Sequence, residues 1–283
     1  YALKNNIPFI IDIQDLWPEA FELVFNIRIL SPLIFYPLRK KADRIYKDAT
    51  AIIAVSDTYL NRAVKVRKHS DKTFEKSVYL GTDFAQFDSM VKLKCENIEK
   101  PIETTWLIYV GTLGHSYNLK SAIQATKFIQ NKYNLKLLIL GDGPLKQSFE
   151  KYAQMIKSNV HFLGRRPYEE MVCYLSMSDI AINPIIAGAA QSIINKHADY
   201  AAAGLPVIST QESLEYKNLL MRYKAGISCN DDAEEIAAAL ENVLEDTSMR
   251  EKMGQNSRKM GEEKFNREIT YKIIYDMINK ILK

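Results

Sequence analysis

The sequence predicts an α/β protein with parallel, doubly wound sheets, and three observations carry that reading. Short apolar runs rich in β-branched residues recur along the chain, segments long enough for a helix separate most of them, and glycine or proline follows several. Strands buried on both faces read as continuous apolar runs. Their alternation with helices implies right-handed crossovers between parallel strands. At 283 residues the chain is long enough for two domains, each with its own core.

The first run, "IPFIIDI" (7–13), is followed by "TAIIAVS" (50–56) and the shorter "KSVYLGTD" (76–83). Between the first two, a helical region is expected from about Pro18 to Lys47. It is expected to be interrupted at Pro32 and Pro37, because a proline nitrogen has no hydrogen to give the helical ladder. The polar stretch "VKLKCENIEKPIETT" reads as a linker. Beyond it "WLIYVG", "LKLLILG", "NVHFLG", "DIAINP", "PVIST" and "GISCN" are strands, with helices in "NLKSAIQATKFIQ", "PLKQSFEKYAQMI" and "PYEEMVCYLS". "DDAEEIAAALENVLED" opens with an Asp N-cap and an acidic first turn, and two further helical segments follow it. No internal repeat or low-complexity stretch interrupts the series.

Composition narrows the class. Hydrophobic content of 47% with 25% charged residues describes a soluble globular protein, and no apolar run approaches the length of a membrane span. The chain has no signal peptide and opens on Tyr1 rather than Met, so it reads as a processed, cut or partial product. Cys95, Cys173 and Cys229 are far apart and odd in number, and read as reduced, mostly buried cysteines of a cytosolic protein. The four histidines show no metal-ligand spacing. From Arg28 to Lys76 there are 12 Lys/Arg against 5 Asp/Glu, a surplus that either faces anionic lipid or a phosphorylated substrate, or covers solvated helix faces. Nucleic acid is disfavoured, since no recognition motif or aromatic platform accompanies the charge.

Gly111, Gly141 with Gly143, Gly164 and Pro184 all follow apolar runs. In an open parallel sheet ligands bind outside the carboxyl ends of the strands, so these loops should meet at one crevice, where glycine lets amides approach an anion. The pattern fits a nucleotide-binding Rossmann-like domain from about 101 to 265. In "QSIINKHADYAAAGLPVIST" a helix should begin near Ser192 and end at Gly204, with Pro206 barring continuation. Its N-terminus suits a diphosphate. Asn195 and Asp199, four apart, share a face with Lys196 beside them.

These residues resemble a known family. "YVGTLGHSYNL", "LILGDGPLKQSFE", "NVHFLGRRPYEEM", "SDIAINP" and "NKHADYAAAGLPVIS" occur in the order and spacing of group 1 (family 4) glycosyltransferases of the GT-B fold. "IIDIQDLWPEA", "ADRIYKDATAIIAVS" and "VYLGTDFAQFD" look like the later part of that family's first domain. The resemblance implies two Rossmann-like domains with parallel sheets. Residues 1–97 would be the acceptor-side domain, incomplete because its opening strand and glycine-rich loop would lie before Tyr1. Residues 98–265 would grip the nucleotide-sugar, and 266–283 would cross back onto the first domain.

The resemblance also implies roles. Asp199 stands where the family has a Glu that hydrogen-bonds the ribose hydroxyls; without a ligand it is an exposed helical Asp. Gln191 stands where another Glu contacts the donor sugar, and an amide there keeps hydrogen bonding but supplies no charge; loop filler is the alternative. Thr112 and Tyr117 occupy the positions of an Arg and a Lys that neutralise the pyrophosphate. The backbone from Gly111 to Gly114, together with Lys196, would carry that work. Lys120 is expected to face solvent. Asp142, in "GDGP" between Gly141 and Gly143, either lies near the nucleotide or caps the next helix. Main-chain groups near Gly164 and Arg165 would recognise the base, unless Arg165 is a surface residue. Gln14 replaces a His near the donor sugar, and Asp15 either orients an acceptor hydroxyl or caps the following helix.

The expected function is transfer of a sugar, with retention of configuration, from a nucleotide-sugar (UDP-linked) to a glycan or lipid-linked acceptor in surface polysaccharide assembly. The expected site is cytoplasmic, with the inner membrane face as a candidate surface beside the apolar and basic region "FELVFNIRILSPLIFYPLRKKADR". No metal or other cofactor is expected, and "NDDAEE" reads as a helix start rather than a ligand cluster. The alternatives are a non-catalytic or fragmentary GT-B subunit needing a partner to complete its first domain, and a sugar-nucleotide epimerase of similar architecture.

Overall fold

The computed structural model describes residues 1–19, 31–95, 98–189 and 193–283. The chain divides into two compact units: Tyr1–Leu80 with Arg267–Lys283 and Ala190–Ile193, and Gly81–Ala189 with Ile194–Asn266.

The first unit holds three parallel strands in the order β1-β2-β3, namely β1 (Ile10–Ile13), β2 (Ala51–Ala54) and β3 (Glu75–Ser77). Ile10 pairs with Ala51 and Ile52 with Glu75. All of β2 is buried, as its unbroken apolar run requires. On one face Ile13, Ile52 and Ala54 pack against Ala42 and Tyr46 of α1 (Ser31–Asp48) and Tyr59 and Ala63 of α2 (Asp57–Val64). On the other, Ala51, Ile53 and Val78 meet Met277 of the last helix, α11 (Arg267–Ile281). Ser56 starts α2 by accepting the Tyr59 amide at 3.2 Å.

Part of the basic surplus is structural. Arg67 donates to the carbonyls of Tyr46 and Ala49 (2.9 and 2.8 Å) and pairs with buried Glu75 at 2.8 Å. Arg62 pairs with Glu19 and Asp43. Lys40, Lys41 and Arg44 are exposed, on the same helix as exposed Leu33, Ile34 and Tyr36.

The second unit holds six parallel strands, β4 (Thr105–Val110), β5 (Leu135–Leu140), β6 (Val160–Gly164), β7 (Ile180–Asn183), β8 (Val207–Ser209) and β9 (Gly226–Ser228), in the order β6-β5-β4-β7-β8-β9. The winding reverses between β4 and β7, which puts the topological switch point at the carboxyl end of β4. Around the sheet lie α3 (Phe84–Lys94), α4 (Leu119–Ile129), α5 (Lys146–Ile156), α6 (Tyr168–Met177), α7 (Asn195–Ala202), α8 (Leu214–Tyr223), α9 (Ala233–Glu245) and α10 (Thr247–Lys264). Leu107, Leu137, Ile139, Ile182 and Ile208 from the strands pack with Leu119 and Ile123 of α4, Phe149 of α5, and Ile236 and Leu240 of α9. Asp232 caps α9 by accepting the amides of Glu234 and Glu235, so the acidic run is a helix start.

The structure departs from the sequence reading in three places. Pro37 lies inside α1 and does not interrupt it, and the helix already includes Pro32. Residues 20–30, the earlier part of the expected helix, lie outside the described residues. The proposed linker begins as helix, because α3 continues to Lys94 and packs on α6. Lastly, Cys95 and Cys173 are joined by a disulfide rather than reduced, because that packing brings together sulfurs 78 residues apart in sequence. Cys229 remains a free thiol, pushed up to about 11 mainly by burial. Among the described residues, no helix is long and apolar enough to cross a membrane.

Candidate functional site

Three turns interlock at the carboxyl ends of β4, β5 and β6. Gly111 donates to Leu140 O and Gly141 to Gly164 O, both at 2.9 Å. Leu113 donates to Asp142 O at 2.9 Å, and Leu145 to Leu113 O at 3.0 Å. The backbones approach so closely that a Cβ on Gly141 would lie 1.8 Å from Gly111 O, at a φ of +147° that side chains avoid. A Cβ on Gly143 would lie 2.5 Å from Leu113 O. These glycines are a packing requirement of the paired turns.

The turns enclose a cavity of about 300 Å³ lined by Gly111, Thr112, Gly141, Asp142, Arg165, Arg166 and Met171, among others. The amides of Thr112, Gly114 and His115 have no backbone acceptor among the described residues, so they are open to an anion. Arg166 is tied to Leu163 O (2.9 Å) and Glu170 (3.3 Å). Its neighbour Arg165 is exposed and without a protein partner among the described residues. Asp142 does not cap α5, whose N-cap is Leu145; its carboxylate accepts the Gly143 amide at 2.9 Å and stays exposed at the cavity.

Beneath Gly111 sits Lys196. Its side chain turns inward from α7 and its Nζ lies over the rings of Tyr109 and Tyr117, at 4.1 and 3.9 Å from their centroids. No hydrogen-bond acceptor reaches that nitrogen. Burial holds the amine well below the ordinary lysine range. Tyr109 donates to Thr112 O at 2.8 Å, which fixes the ring under the turn.

Elsewhere on α7, Asp199 is half-buried, and its Oδ1 accepts from Thr82 Oγ1 (2.6 Å) and from the Tyr168 hydroxyl (3.0 Å). Asn195 is exposed in the first turn of the same helix. The helix starts at Asn195 rather than Ser192, which lies outside the described residues together with Gln191. Gly204, with φ +65°, follows the C-cap as expected. Lys120 is exposed, 5.6 Å from the Tyr152 ring centroid.

Sequence reasoning missed three supporting residues. His197 is fully buried and stacked on Tyr216 at 3.5 Å between centroids. Its Nδ1 accepts the Ile194 amide (3.4 Å) and its Nε2 faces the Asn183 side-chain amide (3.2 Å). Burial lowers its basicity far below the ordinary histidine value. The other two hold the loop after β7: Asp231 accepts from Asn118 Nδ2 (3.0 Å) and Ala187 N (3.4 Å), and Glu212 accepts from Gly188 N (2.9 Å). An acidic residue near a helix start reads as a cap, so nothing in their sequence context separates them.

In the first unit, Gln14 and Asp15 are exposed at the end of β1 and line a separate cavity of about 320 Å³ with Asp12, Trp17, Ala42 and Tyr46, among others. Gln14 donates to Asp12 at 2.6 Å.

The family model described as glycosyl transferases group 1 matches residues 94–260. The capsular polysaccharide biosynthesis glycosyltransferase CapM of Staphylococcus aureus is 25% identical over 242 residues, 83% of this chain and 63% of CapM. The D-rhamnosyltransferase WbpZ of Pseudomonas aeruginosa is 26% identical over 152 residues, 52% of this chain and 37% of WbpZ. The chain therefore spans less than two thirds of the length of either relative. Among solved structures, Anabaena HepE in complex with UDP superposes with a TM-score of 0.75 at 15% identity, covering 99% of this chain and 74% of HepE. WaaG, a glycosyltransferase of lipopolysaccharide biosynthesis, does so with 0.69 at 16% identity, covering 93% and 73%. With the two parallel α/β sheets these similarities give the GT-B fold, and the chain belongs to the group 1 glycosyl transferases.

Proposed function

We propose that this chain transfers a sugar from a nucleotide-sugar donor, UDP-linked, to a glycan or lipid-linked acceptor in surface polysaccharide assembly, with retention of configuration. One observation carries the reading: a buried, unpartnered lysine under a glycine turn with open amides, beside a cavity with a free arginine at its wall. That set suits a diphosphate flanked by a nucleoside. The solved complex of HepE with UDP-glucose and the role in CapM's name support the donor and pathway class.

In this reading the base lies against Gly164 and Arg165, and Asp199 accepts the ribose hydroxyls. The amides of Thr112 and Gly114, with Lys196, meet the diphosphate. The contribution of these groups is electrostatic: charge gathers on the departing diphosphate, and fixed donors away from water stabilise it without reorganising. Asp15, in the first unit, orients an acceptor hydroxyl. Catalysis runs without a metal. The exposed Leu33, Ile34 and Tyr36 with Lys40, Lys41 and Arg44 of α1 meet an anionic membrane surface at the cytoplasmic face, a contact that vesicle co-sedimentation measures.

The test is calorimetry with UDP-, GDP- and ADP-sugars, followed by product analysis with and without acceptor. Failure to bind any of them sinks the reading. A second reading, a GT-B subunit that binds without turnover, is favoured by the amide of Gln14 where a base would be needed. Binding with no product from any acceptor would select it.

A further inference from the structure

Among the described residues Lys196 has no counter-charge. Its side chain is 8% exposed, its Nζ has no acceptor, and a Cβ on Gly111 would lie 3.0 Å from that nitrogen. Two opposing effects decide its charge. Two aromatic faces attract an ammonium, while taking the ion out of water disfavours it, and among the described residues no acceptor reaches the nitrogen to offset that loss. The groups around it add nothing negative. Tyr109 of β4 and Tyr200 of α7 are held protonated by burial, and Tyr117 offers its ring. His197 beside it is buried and neutral, and the Asp199 carboxylate is engaged by Thr82 and Tyr168. Desolvation therefore works against the charged form, and the empty site disfavours an ammonium.

We propose that Lys196 is a proton-coupled anion receptor: a nucleoside diphosphate seated on the Gly111–Gly114 turn supplies the missing counter-charge, and the complex forms with uptake of one proton by the Lys196 amine. The proton comes from solvent, and the amine becomes an ammonium facing the diphosphate. This inference rests on the nucleotide reading above and adds the linkage to it. Wherever the free amine is neutral and the bound one charged, affinity tightens by up to about tenfold for each unit the pH falls.

The test titrates UDP into the 283-residue chain by calorimetry at about pH 8, where the terminal phosphate, with a second pKa near 6, is fully ionised. Buffers of different ionisation enthalpy are compared. The expected result is an observed enthalpy that changes with the buffer, with a slope near one proton. K196M and K196R should both give a slope near zero, K196R because a guanidinium is charged in both states. Circular dichroism checks that each variant folds. If neither does, H115Q takes their place, because His115 follows the same turn: a slope it abolishes overturns the proposal, and a slope it leaves near one proton upholds it. An enthalpy identical in every buffer overturns the proposal and leaves nucleotide binding standing. A slope retained in K196R also overturns it. No binding of UDP, GDP or ADP overturns the proposal together with the reading beneath it.

Discussion

Replacing Asp199 by Asn and by Ala separates what this carboxylate does for the fold from what it does for a ligand. Its Oδ1 accepts two hydroxyls, buried Thr82 at 2.6 Å and exposed Tyr168 at 3.0 Å. In D199A the Thr82 hydroxyl loses its acceptor inside the protein, which costs about 1–3 kcal/mol, whereas Tyr168 turns to water at little cost. D199N keeps an oxygen in place, so its destabilisation should stay below about 1 kcal/mol. Binding follows a different order. A carboxylate holding a ribose diol loses one charge-assisted bond in either variant, about 1.5–3 kcal/mol, or roughly 10- to 150-fold in affinity for UDP. Urea unfolding reads the first quantity and calorimetry the second. D199N binding UDP as tightly as the native chain would refute the ribose assignment. D199A unfolding at the native midpoint would refute the hydroxyl clamp.

Other consequences are as direct. Gly141→Ala drives a Cβ into Gly111 O, and should cost about 2–4 kcal/mol of stability through backbone strain and displaced turns; an unchanged unfolding midpoint contradicts the interlock. His197 is neutral in the fold and its basicity is lowered, so below about pH 6.5 the unfolded chain binds the extra proton. Its contribution is present above that pH and lost as pH falls, by up to about 1.4 kcal/mol per unit, and His197→Gln should flatten that slope in denaturation series. Unreduced digests should yield Cys95 and Cys173 as one linked peptide pair with Cys229 free, and reduction should lower stability by about 2–4 kcal/mol. Recovery of all three as separate alkylated peptides contradicts the pairing.

Most strands among the described residues were legible because parallel strands buried on both faces leave apolar runs, as in "AIIA" of β2; β3 was not, since it lies at Glu75–Ser77, overlapping the expected run "KSVYLGTD" only at Lys76 and Ser77. Helix limits were less so. Pro37 loses one hydrogen bond of α1, and packing of Ala42 and Tyr46 on the first sheet outweighs that loss. α3 runs on into "VKLK" of the expected linker, and it packs against α6, a contact that no local pattern encodes. The same contact hid the disulfide. At the site, the glycines stood out because turns have local chemistry, and Asp199 through its resemblance to the family's motif. The burial of Lys196 did not, since its aromatic walls come from β4 and the turn after it, some 80 residues earlier.

Lys196 also sets fold and use against each other. Methionine fills a similar volume, lies well against two tyrosine rings and leaves no buried amine without an acceptor. A library screened only for melting temperature should therefore drift toward an apolar residue at 196, gaining stability while its hold on nucleotide declines. On the proposed reading, lysine at this position is something the folded state tolerates for the sake of a nucleotide, which in turn should stabilise the fold by binding to it.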